Sequence, residues 1–165
     1  MGKKLLTSIL LITCVIVTIS GCTSNSSYTI ANSTFNIPNN FQKGNLTSYD
    51  DPTYAYMSEM TFKLNGIEVL GVDVYPNAIE YTKGMKDPLF YPTSQFEPAT
   101  KIYTTNIGST QLTVLQDGNT NLKNYFFIKS GKYYSIETST FGGNMGANNT
   151  NELDNAMNMI VETMK

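Results

Sequence analysis

Apolar and polar residues alternate along most of the chain, and the alternation is interrupted at a few Gly-, Asn- and Pro-containing breaks. Period-two alternation is the mark of strands with one face buried. The first such run spans Tyr28 to Ile37, where Tyr28, Ile30, Phe35 and Ile37 are the apolar positions and Pro38-Asn39-Asn40 ends the strand, with Phe41 returning to the core. Asn65-Gly66 suits the positive φ angles of a type I′ turn and predicts a hairpin of Tyr54–Leu64 with Ile67–Tyr75. A two-residue turn sets Leu64 opposite Ile67 and Phe62 opposite Val69 on one face, and Lys63 opposite Glu68 on the other. Val72 and Val74 then fall on the second face with Met57. Both faces are apolar away from the turn, as in a sheet partly covered by helices.

Residues 76–84 (PNAIEYTKG) predict a short helix with Pro76 in its first turn. Residues 85–99 hold Pro88, Pro92 and Pro98 around Phe90, Tyr91 and Phe96, a proline spacing that no regular element survives. Four further strands follow at Ile102–Asn106, Gln111–Gln116, Leu122–Lys129 and Lys132–Thr138, separated by Ile107-Gly108, Asp117-Gly118 and Ser130-Gly131. They predict an antiparallel meander, with Phe127 facing Tyr134 and Tyr125 facing Ile136 in the last hairpin. After a Gly- and Asn-rich loop, Asn149 followed by Glu152 has the spacing of a capping box. Leu153, Ala156, Met157, Ile160, Val161 and Met164 form one stripe of the C-terminal helix that this box opens. The fold class is α+β: an antiparallel β-sheet of meander hairpins, with a C-terminal amphipathic helix and another helix packed on its faces.

The amino-terminal segment follows a different pattern. Lys3 and Lys4 precede an apolar stretch from Leu5 to Ile19, interrupted by threonines and a serine, and small residues end it. The stretch is shorter than the roughly 20 residues that span a bilayer and reads as an export signal over residues 1–21. Ile19-Ser20-Gly21-Cys22 resembles the lipobox of prokaryotic lipoproteins, in which the residue after the cut is a cysteine alkylated on its thiol; the resemblance implies lipidation of Cys22. The alternative is an ordinary signal peptide that carries a cysteine near its cut. Myristoylation is set aside because the sixth residue is Leu6. Cleavage before Cys22 removes Cys14 and leaves one cysteine, so the remaining domain is held by its core and not by an internal disulfide. Residues 22–27, small and polar, read as the lipidated cysteine and a flexible tether, followed by one domain over 28–165.

Composition narrows the chemistry. The 165 residues contain no His, no Trp and no Arg, and carry a net charge of −2. Without His, His-dependent triads and imidazole metal sites are excluded; with two Cys, so are Cys-rich metal sites. An acidic chain without arginine does not suit nucleic acid. Removing the signal leaves nine lysines against thirteen acids, so lipid, and not a basic patch, would hold the domain at a membrane.

Each remaining candidate for chemistry has a plain structural reading. Asp117 to Asn121 place oxygens at alternate positions like an EF-hand loop, but Leu122 stands where Gly is needed and Ile128 where Glu is needed, which favours a hairpin turn. Asp50-Asp51 reads as a solvated pair. Asp73 lies within an apolar strand, where a carboxyl turned inward would titrate high; the expectation is that it turns to solvent. Gly142 to Gly146 lacks the spacing of a dinucleotide fingerprint. No metal site, cofactor or catalytic residue is expected. Phe90, Tyr91 and Phe96, held between prolines, are the candidate partner-binding surface, their alternative being to cover the sheet.

The opening Phe35-x-Ile37-Pro38 followed by an aromatic, the aromatic hairpin around Phe126–Ile136 and the closing helix ending Ile160-Val161-Glu162-Thr163-Met164-Lys165 resemble the PsbP/Mog1-like domain over about residues 28–165. The resemblance implies an antiparallel sheet with helices on both sides. Several members of that group are exported prokaryotic lipoproteins, and the better-studied ones are non-catalytic binding or assembly proteins. The chain departs from the commonest pattern in having Phe41 in place of Trp and in the proline-rich segment 85–99. These readings make the protein an exported lipoprotein at the extracytoplasmic face of the cell membrane that binds a protein or envelope component. The alternatives are a solute-binding lipoprotein serving a transporter, which needs a concave pocket, and a hydrolase built on a carboxylate pair.

Overall fold

The computed structural model describes residues 24–50, 55–86, 101–116, 123–138 and 147–165. The chain opens with a two-stranded hairpin, β1 (Asn25–Ile30) and β2 (Ser33–Pro38). A seven-stranded antiparallel sheet follows, built from β3 (Phe41–Tyr49), β4 (Met57–Leu64), β5 (Ile67–Tyr75), β6 (Lys101–Ile107), β7 (Thr110–Gln116), β8 (Lys123–Lys129) and β9 (Lys132–Thr138), in the order β3-β4-β5-β9-β8-β7-β6. Helix α1 (Ala78–Met85) follows β5, and α2 (Ala147–Thr163) closes the chain. The architecture is α+β and mostly antiparallel sheet, and β6 to β9 form the expected meander. No helix of the described residues is long and apolar enough to cross a membrane.

The single strand expected over Tyr28–Ile37 is two strands. Ala31 and Asn32 both have positive φ, 44° and 62°, and form the turn between them. A two-residue turn reverses the chain and pairs Ile30 with Ser33 and Tyr28 with Phe35, so residues of opposite parity share a face. The change of apolar phase, from even positions at Tyr28 and Ile30 to odd ones at Phe35 and Ile37, records that reversal. Strand β1 also takes up half of the expected tether, residues 25–27. Asn39 N–H donates to Ser24 O at 3.1 Å, Asn39 Nδ2 to Ser24 Oγ at 2.5 Å, and Ser26 Oγ to Asn39 Oδ1 at 2.6 Å, so the chain is held from Ser24 onward.

The Asn65-Gly66 hairpin has the expected Leu64–Ile67 and Lys63–Glu68 pairs, but Phe62 pairs with Leu70 and not with Val69. A β-bulge between Phe62 and Lys63 accounts for the shift: one extra residue on β5 reverses the phase of everything after it. Val72 and Val74 therefore join Phe62 and Met60 in the main core, while Met57 packs on the opposite face. Strand β3 has no counterpart among the expected strands, because after Phe41 its residues are exposed or partly so and carry no apolar alternation. A second bulge, between Lys43 and Leu46, bends it. There Asn45 N–H donates to Thr61 Oγ1, and a Cβ on Gly44 would collide with that hydroxyl, so the bulge requires glycine.

The main core lies between one sheet face, the β1–β2 hairpin and α2. All six residues of the expected helix stripe, Leu153 to Met164, are buried in it. Helix α2 starts at Ala147, earlier than the capping box suggests, and the Glu152 carboxylate accepts from Asn40 Nδ2 at 3.0 Å. Lys129 Nζ closes the other end by donating to Val161 O at 2.5 Å and Glu162 O at 2.7 Å, a cation at a helix carboxyl terminus. The C-terminal residue pairs with β2 through reciprocal backbone bonds between Thr34 and Lys165.

A smaller cluster on the other face holds Ala55, Tyr75, Leu115 and Phe126 beneath Tyr81 and Met85 of α1. Asn77 caps α1, its Oδ1 accepting from Ile79 and Glu80 N–H, so Pro76 precedes the cap instead of lying in the first turn. In the last hairpin Phe127 pairs with Tyr134 and Tyr125 with Ile136, as expected.

Candidate functional site

One end of the sheet gathers the β1–β2 turn, the end of β3, the start of β4, the end of β5 and the β8–β9 turn. Between them lies a cleft of about 510 Å³, lined by Asn32, Ser48, Tyr49, Tyr56, Ser58, Tyr75, Lys132 and Tyr133 among others. Two turns with both central residues at positive φ, Ala31-Asn32 and Ser130-Gly131, bring two of its walls together. Lys132 Nζ fastens them by donating to Asn32 O at 2.6 Å and to Ser33 Oγ at 3.3 Å, and Ser33 Oγ lies 3.0 Å from the Tyr134 hydroxyl.

The tyrosines are held from behind. Tyr81 of α1 packs edge-on to Tyr75 at 5.7 Å and against Tyr133 at 5.4 Å between ring centroids. Its burial pushes the Tyr81 hydroxyl up to about 12. The Tyr56 ring carries Lys83 Nζ at 5.5 Å from its centroid. The Tyr56 N–H donates to Glu80 Oε2 at 2.9 Å, and that bond, aided by Lys83 at 3.0 Å, holds the Glu80 carboxyl below its usual range. Tyr49 is the most exposed of the four; its hydroxyl donates to Glu59 Oε2 at 2.8 Å, which with partial burial pushes it up to about 12.

Behind the cleft lies a buried polar chain. Asp73 is 3 % exposed, which corrects the expectation that it faces solvent: β5 is covered on both faces from Val69 to Tyr75. Ser135 Oγ donates to Asp73 Oδ2 at 2.6 Å, and the Tyr75 hydroxyl lies 3.1 Å from Ser135 Oγ. Because the one serine proton goes to Asp73, Tyr75 is the donor to Ser135. Asp73 Oδ1 has no hydrogen-bond partner among the described residues. Burial pushes the Asp73 carboxyl well above the ordinary aspartate range; the Ser135 bond opposes this, and the charges of Glu59 and Glu137 add to it. Glu59 is its direct neighbour across β4 and β5. Neither carboxyl lines the cleft, so this pair is not presented to a substrate there.

Among the described residues, no group of three or more His, Cys, Asp or Glu could hold a metal ion. Asp50 is exposed at the end of β3. Cys22, Phe90, Tyr91 and Phe96, the Asp117–Asn121 run and the Gly142–Gly146 run lie outside the described residues. The cleft was not visible from the sequence, because its residues come from five separated segments. The one local signal was the cluster of Tyr133, Lys132 and Gly131 beside a hairpin turn. No protein-family model matches the sequence, and no match was found among curated proteins.

Proposed function

We propose that the protein is an exported lipoprotein, anchored through Cys22 at the extracytoplasmic face of the cell membrane, and that it works as a non-catalytic binding module for a protein or envelope component. The observation that supports the reading is a cleft at the end of the β1–β2 hairpin remote from Ser24. Ser24, two residues past Cys22, is the first described residue, and β1 runs from Asn25 to the Ala31-Asn32 wall of the cleft. Six residues of strand span about 20 Å. The cleft thus lies at the end of this hairpin remote from Ser24, an arrangement that suits a domain tethered through the residues before it.

The resemblance to PsbP/Mog1-like domains supports a binding role, since their better-studied members are non-catalytic. The burial of Asp73 supports it too, because the nearest carboxylate pair is withheld from the cleft. A second reading, a solute-binding lipoprotein serving a transporter, draws support from the volume of about 510 Å³, which falls in the range of small-molecule sites. Crosslinking and mass spectrometry on tagged protein in native membranes, wild type against Cys22→Ser, tests the proposal. A partner captured in stoichiometric amount only by the wild type supports the anchored module. Intact protein recovered from the membrane without any such partner favours the solute-binding reading.

A further inference from the structure

We infer that the proton on Asp73 holds Tyr49 in place on the cleft wall, so that the wall is set while Asp73 is neutral and loosened once it is ionised. The inference names what regulates the cleft and rests on the cleft reading for its consequence. The contacts run in one line across the sheet. Tyr49 lines the cleft and donates its hydroxyl to Glu59 Oε2 at 2.8 Å. Glu59 lies directly opposite Asp73 across β4 and β5, and residues so paired share a face of the sheet. The Glu59 carboxylate also leans over Gly71, its Oε1 3.1 Å from where a Cβ would stand, in space that the glycine leaves open. On the far side, Ser135 of β9 donates to Asp73 Oδ2, and the Tyr75 hydroxyl backs Ser135.

The two carboxyls differ in freedom. Asp73 is buried in a strand covered on both faces, and its Oδ1 has no partner among the described residues, so an ionised Asp73 keeps one oxygen unsatisfied where it stands. Glu59 is half-buried and ends beside the exposed Tyr49, so it is the one that can turn outward. The groups that face Asp73 are Glu59 from β4, Ser135 and Glu137 from β9 and Tyr75 from its own strand, and the charges that act on it, those of Glu59 and Glu137, are both negative. Helix α1 on the same face brings Glu80 and Lys83, which pair with each other at 3.0 Å. While Asp73 is neutral, the Glu59 carboxylate faces an uncharged acid and stays on Tyr49. Once Asp73 ionises, like charges stand opposite each other across the two strands, which is unfavourable. Glu59 then swings toward water and releases the Tyr49 hydroxyl that it held. Tyr49 feels the Asp73 charge as well, which adds to the upward push on its hydroxyl.

NMR of the full chain in detergent micelles, with isotope-labelled tyrosine rings and aspartate carboxyls, tests this as pH is raised from about 4 to about 9. The Tyr49 ring signal is expected to move with the midpoint of the Asp73 carboxyl signal, while that of Tyr134, whose hydroxyl meets Ser33 in the main core, stays still. Asp73→Asn is expected to keep Tyr49 still across the range. Glu59→Gln, which leaves Asp73 intact, is expected to lower the Asp73 midpoint by at least about half a pH unit and to uncouple Tyr49 from it. Three results each overturn the inference: no titration of Asp73 in this range, a Tyr49 signal that ignores the Asp73 midpoint or still follows pH in Asp73→Asn, and a Tyr134 signal that moves with Tyr49, the mark of a general loosening of the sheet. The coupling is read without a ligand, so its failure leaves the cleft reading standing. Failure of the cleft reading is seen separately, in a Tyr49→Ser variant that captures the membrane partner as well as the wild type does.

Discussion

Ser135 donates its hydroxyl proton to Asp73 Oδ2 at 2.6 Å across the β5–β9 pair, while Asp73 Oδ1 is buried with no hydrogen-bond partner among the described residues. A carboxylate in that setting is half satisfied, and the neutral acid is favoured. Unfolded, Asp73 titrates near pH 4. Folded, its pKa is raised, so its contribution to stability is complete below that pH and is lost as pH rises toward the folded value. Stability therefore falls by up to about 1.4 kcal/mol per pH unit above pH 4 on account of this group. In Asp73→Asn that component is absent. Thermal unfolding of the two proteins from pH 4 to 8 should show curves that diverge with pH, the variant being the more stable at pH 8.

Ala31 holds φ at 44° in a turn where both central residues are left-handed. Alanine pays a steric penalty there that asparagine largely avoids. Ala31→Asn is expected to stabilise the protein by about 0.5–1 kcal/mol, a rise in Tm of about 2–4 °C. A fall in Tm would show that the methyl group contributes more to the cleft wall than the backbone costs.

Gly84 lies inside α1, where glycine to alanine ordinarily stabilises a helix by about 1 kcal/mol. Here a Cβ would meet the Tyr75 side chain at 2.6–2.8 Å, and that ring is buried and packed against Tyr81 and Phe126. Gly84→Ala is therefore expected to destabilise by about 1–3 kcal/mol and to shift α1 away from the sheet. Denaturant unfolding measures the first effect, and altered chemical shifts of Tyr75 and Tyr133 the second.

Substituting Phe90, Tyr91 and Phe96 together by Ser is expected to weaken capture of the membrane partner by at least about tenfold, with Tm changing by less than about 3 °C. A collapse of thermal stability would assign the three aromatics to the core instead.

What could be read from the sequence depended on how local the determining interaction is. The α2 stripe and the Tyr125–Ile136 and Phe127–Tyr134 pairs follow from spacing alone, and the structure has them. The bulge at Phe62–Lys63 is one residue of slippage, which the two successive apolar residues Val69 and Leu70 conceal, since either could face Phe62. Strand β3 is an edge strand whose partner, β4, supplies its order, so its own residues carry little pattern. The burial of Asp73 depends on the covering of both faces of β5, a tertiary fact that its apolar neighbours Val72 and Val74 suggest but do not fix. The cleft is the least legible of all, since its walls come from segments as far apart as Asn32 and Lys132 and meet only through the fold.

The central claim is that lipid on Cys22 holds this domain at the membrane. Mass spectrometry of the intact protein purified from its membranes tests that most directly. The account predicts a mature chain that begins at Cys22 and carries diacylglycerol on the thiol, together with release of Cys22→Ser from the membrane fraction. A chain that retains residues 1–21, a free thiol at Cys22, or a Cys22→Ser variant that stays membrane-bound would contradict it.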